Sequence, residues 1–346
     1  MHRLALRWLL WIALLAPALA LAQPPAGRSA PSEWLPGPIM VVRAGPETRL
    51  TRVPSPPGVA DAHPQAATIN VTFDPEFPPE ARTAFQAAVD IWEAELISPV
   101  PIEVEASWDP LGEGVLGSAR PTLVTANFLG APLRDTYYPI ALANKLAGRD
   151  LRPESDIEAS FNSNSMSLYY FGTDGNTPPD KYDFVSVVLH ELGHGLGFAG
   201  SMNVTSDGLG QWGVGTPPRP LIFDRFAVNG AGQSLIDTNL FPNPSQEQAA
   251  QLTSANVAVI GPNANAANGG TPPRLYAPSV WITGSSFGHL DEDSFPPGDV
   301  NSLMTPQLNR GESVHTPGPI TRGIFRDLGW GIEAGSERVY LPLIRS

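Results

Sequence analysis

The stretch from Asp183 to Gly197 limits how this chain can fold more than any other. Phe184, Val185, Val187, Val188, Leu189, Leu192 and Leu196 make it almost continuously apolar, with Asp183 placed to cap its start and Gly197 to turn the chain at its end. A helix that is apolar all round is buried, so other layers must cover this one. Yet it carries His190, Glu191 and His194, and buried ionisable groups need partners. Positions i and i+4 share a helix face about 6 Å apart, so the two imidazoles can converge on one ion. Zn²⁺ accepts neutral imidazole nitrogens at about 2.0–2.1 Å. Glu191 lies one step around the helix, beside the ion, where it can take a proton from water attacking a carbonyl. Losing either histidine should lose the metal, and losing Glu191 should spare the metal and lose the chemistry. Gly193 and Gly195 each cost about 1 kcal/mol relative to alanine in a helix interior; close backbone approach is the use that the sequence allows them.

A hydrolytic zinc site keeps three protein ligands and one water. The chain has 346 residues and no cysteine, so the third ligand is a histidine or a carboxylate. Of six histidines, His2 lies in the N-terminal leader and His63 in a proline-rich lead. That leaves His289 and His315, or Asp207 or Asp224 in a two-histidine, one-acid site. The acidic residues Asp291, Glu292, Asp293 and Asp299 read as a solvated loop, a support for a ligand histidine or a Ca²⁺ site. Asp174-Gly175-Asn176 hints at calcium without a full ligand array.

Along the chain, residues 1–22 read as a secretory signal peptide: Arg3 and Arg7, an apolar run from Leu9 to Leu15, and cleavage after Ala20-Leu21-Ala22. The expected location is therefore extracellular, with no membrane span in the rest. Residues 23–66 hold ten prolines and no sustained periodicity; they read as a linker or a pro-segment. The domain is expected over 67–332 and a tail over 333–346. Ile69, Val71 and Phe73 alternate as a strand should, Pro79 opens an amphipathic helix, and Ile102–Ala106 and Asp156–Phe161 read as strands. Residues 200–300 are loop-rich, with Gly261–Pro273 nearly low-complexity, and Pro319–Leu328 reads as a last helix ended by Gly329. The pattern predicts an α+β domain, a twisted sheet with a helix across it and an irregular C-terminal half. A net charge of −13 argues against nucleic acid or an anionic membrane as partner. Nothing here sets the oligomeric state.

The run His190-Glu191-Leu192-Gly193-His194-Gly195-Leu196-Gly197 resembles the metzincin zinc helix, and Ser302-Leu303-Met304-Thr305-Pro306 resembles its methionine turn. The usual third histidine would fall at Gly200. The order His289, then Leu303-Met304-Thr305-Pro306, then Ile324-Phe325-Arg326-Asp327-Leu328-Gly329-Trp330 is similar to the leishmanolysin-like branch, in which a long insertion precedes the third histidine; that branch's cysteines are absent. The resemblance spans about residues 180–332. It implies a zincin-like fold, one zinc on His190, His194 and His289, Glu191 as base, Met304 as the turn methionine, and Ile157–Asn162 as a sheet edge that pairs with an extended peptide. The function it implies is a secreted zinc metalloendopeptidase acting on proteins or peptides. Two other readings stand beside it: an exported surface-binding or adhesion protein with a structural or inactive zinc site, and a zinc hydrolase of non-peptide amides or esters.

Overall fold

The computed structural model describes residues 33–55 and 66–332; the expected signal peptide and the 333–346 tail lie outside the described residues. The architecture is α+β. Six strands form one mixed sheet: β1 (Met40–Thr48), β2 (Ile69–Phe73), β3 (Ile102–Asp109), β4 (Val115–Pro121), β5 (Ile157–Asn162) and β6 (Gln307–Arg310). Their order across the sheet is β6-β1-β4-β5-β3-β2. β2, β3 and β5 run parallel, β4 is antiparallel to β5 and to β1, and β6 is parallel to β1.

Two helices lie against this sheet and each other: α1 (Pro79–Glu95) and α2 (Phe184–Leu196). Ala81, Ala84, Phe85, Ala88, Val89 and Trp92 form the buried stripe of α1, at the three- and four-residue spacing of an amphipathic helix. Phe184 opens α2 against Phe161 of β5, with ring centroids 5.2 Å apart. All thirteen residues of α2 are buried, which is what its sequence requires. Near the C-terminus, α3 (Gly318–Leu328) ends on Gly329, left-handed at φ 115°. Among the described residues no helix is long and apolar enough to cross a membrane.

α1 and α3 are joined by Glu95 and Arg322, 3.0 Å apart with both side chains only 3% exposed. Removing one partner of such a pair leaves the other charge less well compensated in the interior. Glu95→Ala is expected to lower the unfolding free energy by about 3–5 kcal/mol, read from the denaturant midpoint.

Three expectations need correction. Residues 33–55, read as linker or pro-segment, are not a loose linker on the surface: β1 sits inside the sheet, Glu33–Pro36 pairs with Leu123–Ala126, and Arg52–Val53 pairs with Ser313–Val314. The prolines hide a short alternation in which Met40 and Val42 are buried and Ala44 is partly buried. β5 is not a sheet edge; β3 flanks it on one side and β4 on the other. The near-low-complexity run contains a helix, Pro262–Ala267, capped from a distance: the Asp327 carboxylate accepts the N–H groups of Asn263 and Ala264 at 3.1 and 2.9 Å. A carboxylate at a helix N-terminus satisfies orphan donors and meets the favourable end of the dipole. Local sequence holds no sign of a cap more than sixty residues away.

Candidate metal centre

The start of α2 is fixed by Asp183, whose side chain accepts the Ser186 N–H at 2.9 Å and the Ser186 hydroxyl at 2.7 Å. The Thr177 hydroxyl and His315 Nε2 complete its partners, at 2.9 and 2.7 Å. His315 is thus the buried partner of a helix cap, far along the helix from His190 and His194. At the other end Gly197, at φ 125°, turns the chain out of the helix, a conformation that glycine adopts without the Cβ penalty. Inside the helix, Gly193 has a packing reason: a Cβ there would stand 2.8 Å from Met304 Sδ. Met304, fully buried in the 3₁₀ turn Ser302–Met304, lies directly under the helix.

His289 arrives from the loop ahead of that turn. Phe287 packs so tightly on Gly200 that a Cβ at Gly200 would meet its ring at 2.1 Å. Leu290 N–H donates to Met304 C=O at 2.8 Å and Tyr276 N–H to His289 C=O at 2.8 Å. The loop is therefore pinned on both sides of the histidine.

The three Nε2 atoms of His190, His194 and His289 face one another at 2.9, 3.1 and 3.1 Å. Each Nδ1 lies against a backbone carbonyl: His190 on Leu303 at 2.6 Å, His194 on Phe198 at 2.7 Å, His289 on Ser285 at 2.7 Å. A carbonyl only accepts, so each Nδ1 carries the proton and each Nε2 presents a lone pair. Burial pushes His190 down to about 4, and holds His194 and His289 well below the ordinary imidazole value, with their imidazole neighbours adding to it. Three neutral imidazoles with lone pairs converging at 3 Å repel one another unless a cation sits between them. Four-coordinate bonds of 2.0–2.1 Å separate ligand nitrogens by about 3.3 Å, so the triad fits such an ion after a shift of a few tenths of an ångström.

Glu191 stands beside the triad. Its Oε1 accepts the Val42 N–H at 2.9 Å, and its buried Oε2 has no hydrogen-bond partner among the described residues. Burial raises its carboxyl well above the usual carboxylate range, opposed by the Val42 N–H; a divalent cation alongside reverses that balance. An orphaned buried oxygen is costly, and a metal-site water is the kind of group that would satisfy it.

Among the described residues, His190, His194 and His289 are the one group of three or more His, Cys, Asp or Glu side chains whose ligand atoms converge. Asp207 and Asp224 do not join them. Asp207 is exposed, while Asp224 is buried and accepts the N–H groups of Ser201 and Leu221, both at 2.8 Å, with burial raising it to about 6. Asp291 and Asp299 serve local turns, accepting from Ser294 and Asn301. Asp174 likewise accepts from Asn176 and Tyr170, which hold it down at about 2. Sequence reading missed Val42, whose role is a backbone N–H, and the carbonyls of Leu303, Phe198 and Ser285; no side chain signals any of them.

Residues 130–211 match the family described as SPBPB7E8-like, a span that includes His190, Glu191 and His194 and stops before His289. No curated protein and no solved structure matches the chain.

Proposed function

We propose that this chain is an exported zinc metalloendopeptidase with a zincin-like catalytic domain resembling the metzincins. The observation that carries the reading is the convergence of three neutral imidazole Nε2 atoms beside a carboxylate with one unpartnered oxygen. A zinc ion bound there would polarise the scissile carbonyl and acidify water. His190, His194 and His289 would hold it, kept in the ligating tautomer by the carbonyls on their Nδ1 atoms. Glu191 takes a proton from the attacking water and returns it to the leaving amine nitrogen, and no covalent intermediate forms.

A second reading is a structural metal site in a surface-binding protein. Complete burial favours it: His194, Glu191 and His289 are 0% exposed. Against it stands the orphaned carboxylate oxygen, which a purely structural site does not need. The test is hydrolysis by the zinc-loaded chain of an unstructured polypeptide and of a small aryl ester, followed over hours because the site is covered. Peptide-bond cleavage that stops on chelation and returns with zinc is expected. Cleavage of the ester alone would move the reading to a non-peptide hydrolase, and tight zinc binding without either would favour the structural site.

A further inference from the structure

What covers the site is β1. Val42 donates its N–H to Glu191 Oε1. Met40 lies so close over Gly288, the residue before His289, that a Cβ there would meet Met40 Cε at 1.8 Å. Val41 N–H donates to Gly284 C=O at 3.0 Å. Arg43 Nε donates to Ser285 Oγ at 3.2 Å, and the carbonyl of Ser285 is the one that orients His289. Four consecutive residues thus touch the base and the ligand loop together.

The main chain of β1 is held as a strand by two partners in succession, β4 along Met40–Arg43 and β6 along Arg43–Thr48, with Gly284 C=O taking the Val41 N–H opposite β4. It runs antiparallel to β4, with Met40 opposite Ala119, Val41 opposite Ser118 and Val42 opposite Gly117. On its other side it runs parallel to β6, the strand that begins just past Met304-Thr305-Pro306, and Arg43 N–H donates to Pro306 C=O at 3.0 Å. A slot that satisfies main-chain groups on both edges recognises an extended backbone, with alternate side chains adding selectivity. Here the alternate side chains are Met40 and Val42, 5% and 1% exposed.

Resting on the reading of the site as a peptide hydrolase, we propose that the slot lined by β4 on one side, and by the Gly284–Gly288 loop and then β6 on the other, is its substrate groove. Met40–Thr48 fills that groove as a substrate-like strand of the chain itself, and the site stays closed to other peptides until the strand is released. The bond presented to the base is Val41–Val42, because its nitrogen is the atom on Glu191. Hydrolysis there adds a water: the hydroxyl goes to the Val41 carbonyl carbon, the C–N bond breaks, and Glu191 delivers the proton to the Val42 nitrogen. The substrate class is an extended peptide with an apolar side chain on the residue after the cut, in the position of Val42. A tethered occupant acts at an effective concentration on the order of millimolar, so a free peptide competes poorly with it.

The test uses the full, zinc-loaded chain and Val42→Pro, which removes the N–H held by Glu191 and disfavours pairing within the sheet. Chelator is expected to strip metal from this variant about tenfold faster than from the wild type, and unstructured polypeptide to be cut about tenfold faster. A synthetic peptide of residues 38–48 should reverse both effects and itself be cut between Val41 and Val42. A variant with wild-type circular dichroism that cuts polypeptide no faster than the wild type, and ignores the peptide, overturns the proposal and leaves the hydrolase reading standing. Faster metal loss reversed by the peptide, with hydrolysis of nothing, keeps the covering strand and overturns the hydrolase reading. If Val42→Pro does not fold, intact mass of the wild type held with zinc decides. A new amino terminus at Val42, absent in Glu191→Gln, is expected; a wild type that cuts added polypeptide with its 41–42 bond whole overturns the proposal.

Discussion

Glu191→Gln is expected to lower polypeptide hydrolysis by about 10²–10⁴, the range that a positioned general base supplies, while leaving one metal ion per chain. The substitution isolates the chemistry. Glutamine keeps an oxygen that can accept the Val42 N–H now held at 2.9 Å, so the contact with β1 survives. What is lost is the capacity to take a proton from water and return it to the amine. Metal content by elemental analysis and cleavage rate on the same preparation separate the outcomes. Loss of the metal would make Glu191 a ligand, and a rate within a few-fold of wild type would remove it from the mechanism.

His289→Ala and His315→Ala are expected to behave in opposite ways. Both histidines are buried and both lie downstream of the zinc helix, but only His289 has its Nε2 within 3.1 Å of the other two. Its loss removes one of three ligands and should weaken metal binding by more than the 10–100-fold typical of supporting residues. His315→Ala should leave metal affinity unchanged. It removes the hydrogen bond to the buried Asp183 carboxylate, and a bond to a charged group is worth about 1.5–3 kcal/mol, so the loss appears as stability. Metal titration and denaturant unfolding on both variants read the two effects independently. Equal metal affinity in wild type and His289→Ala would contradict the assignment.

The parts of this protein legible in sequence are those written in side-chain pattern. The apolar run 184–196 encodes a buried helix, Pro79 and the alanine-rich stripe after it encode α1, and alternation encodes β2, β3 and β5. His190 and His194 follow from helix spacing alone. His289 comes from 95 residues away along the chain, and only the resemblance in motif order separates it from His315; what brings it in is Phe287 packed on Gly200, a contact without local signature. The short Met40–Val42 alternation is drowned by flanking prolines, although β1 carries the N–H that Glu191 accepts. Edge or interior position of β5 depended on β1 and β6, which pair with nothing nearby in sequence. The helix at 262–267 depends on Asp327 for its cap, and low local complexity therefore conceals it.

The most direct measurement is X-ray absorption at the metal edge on the purified full-length chain supplied with zinc. One ion per chain, with three imidazole nitrogens at about 2.0–2.1 Å and the signal lost in His289→Ala, is the result predicted. A zinc ion bound by carboxylates alone, or a chain that takes up none, would contradict the metal centre and the hydrolase reading that rests on it.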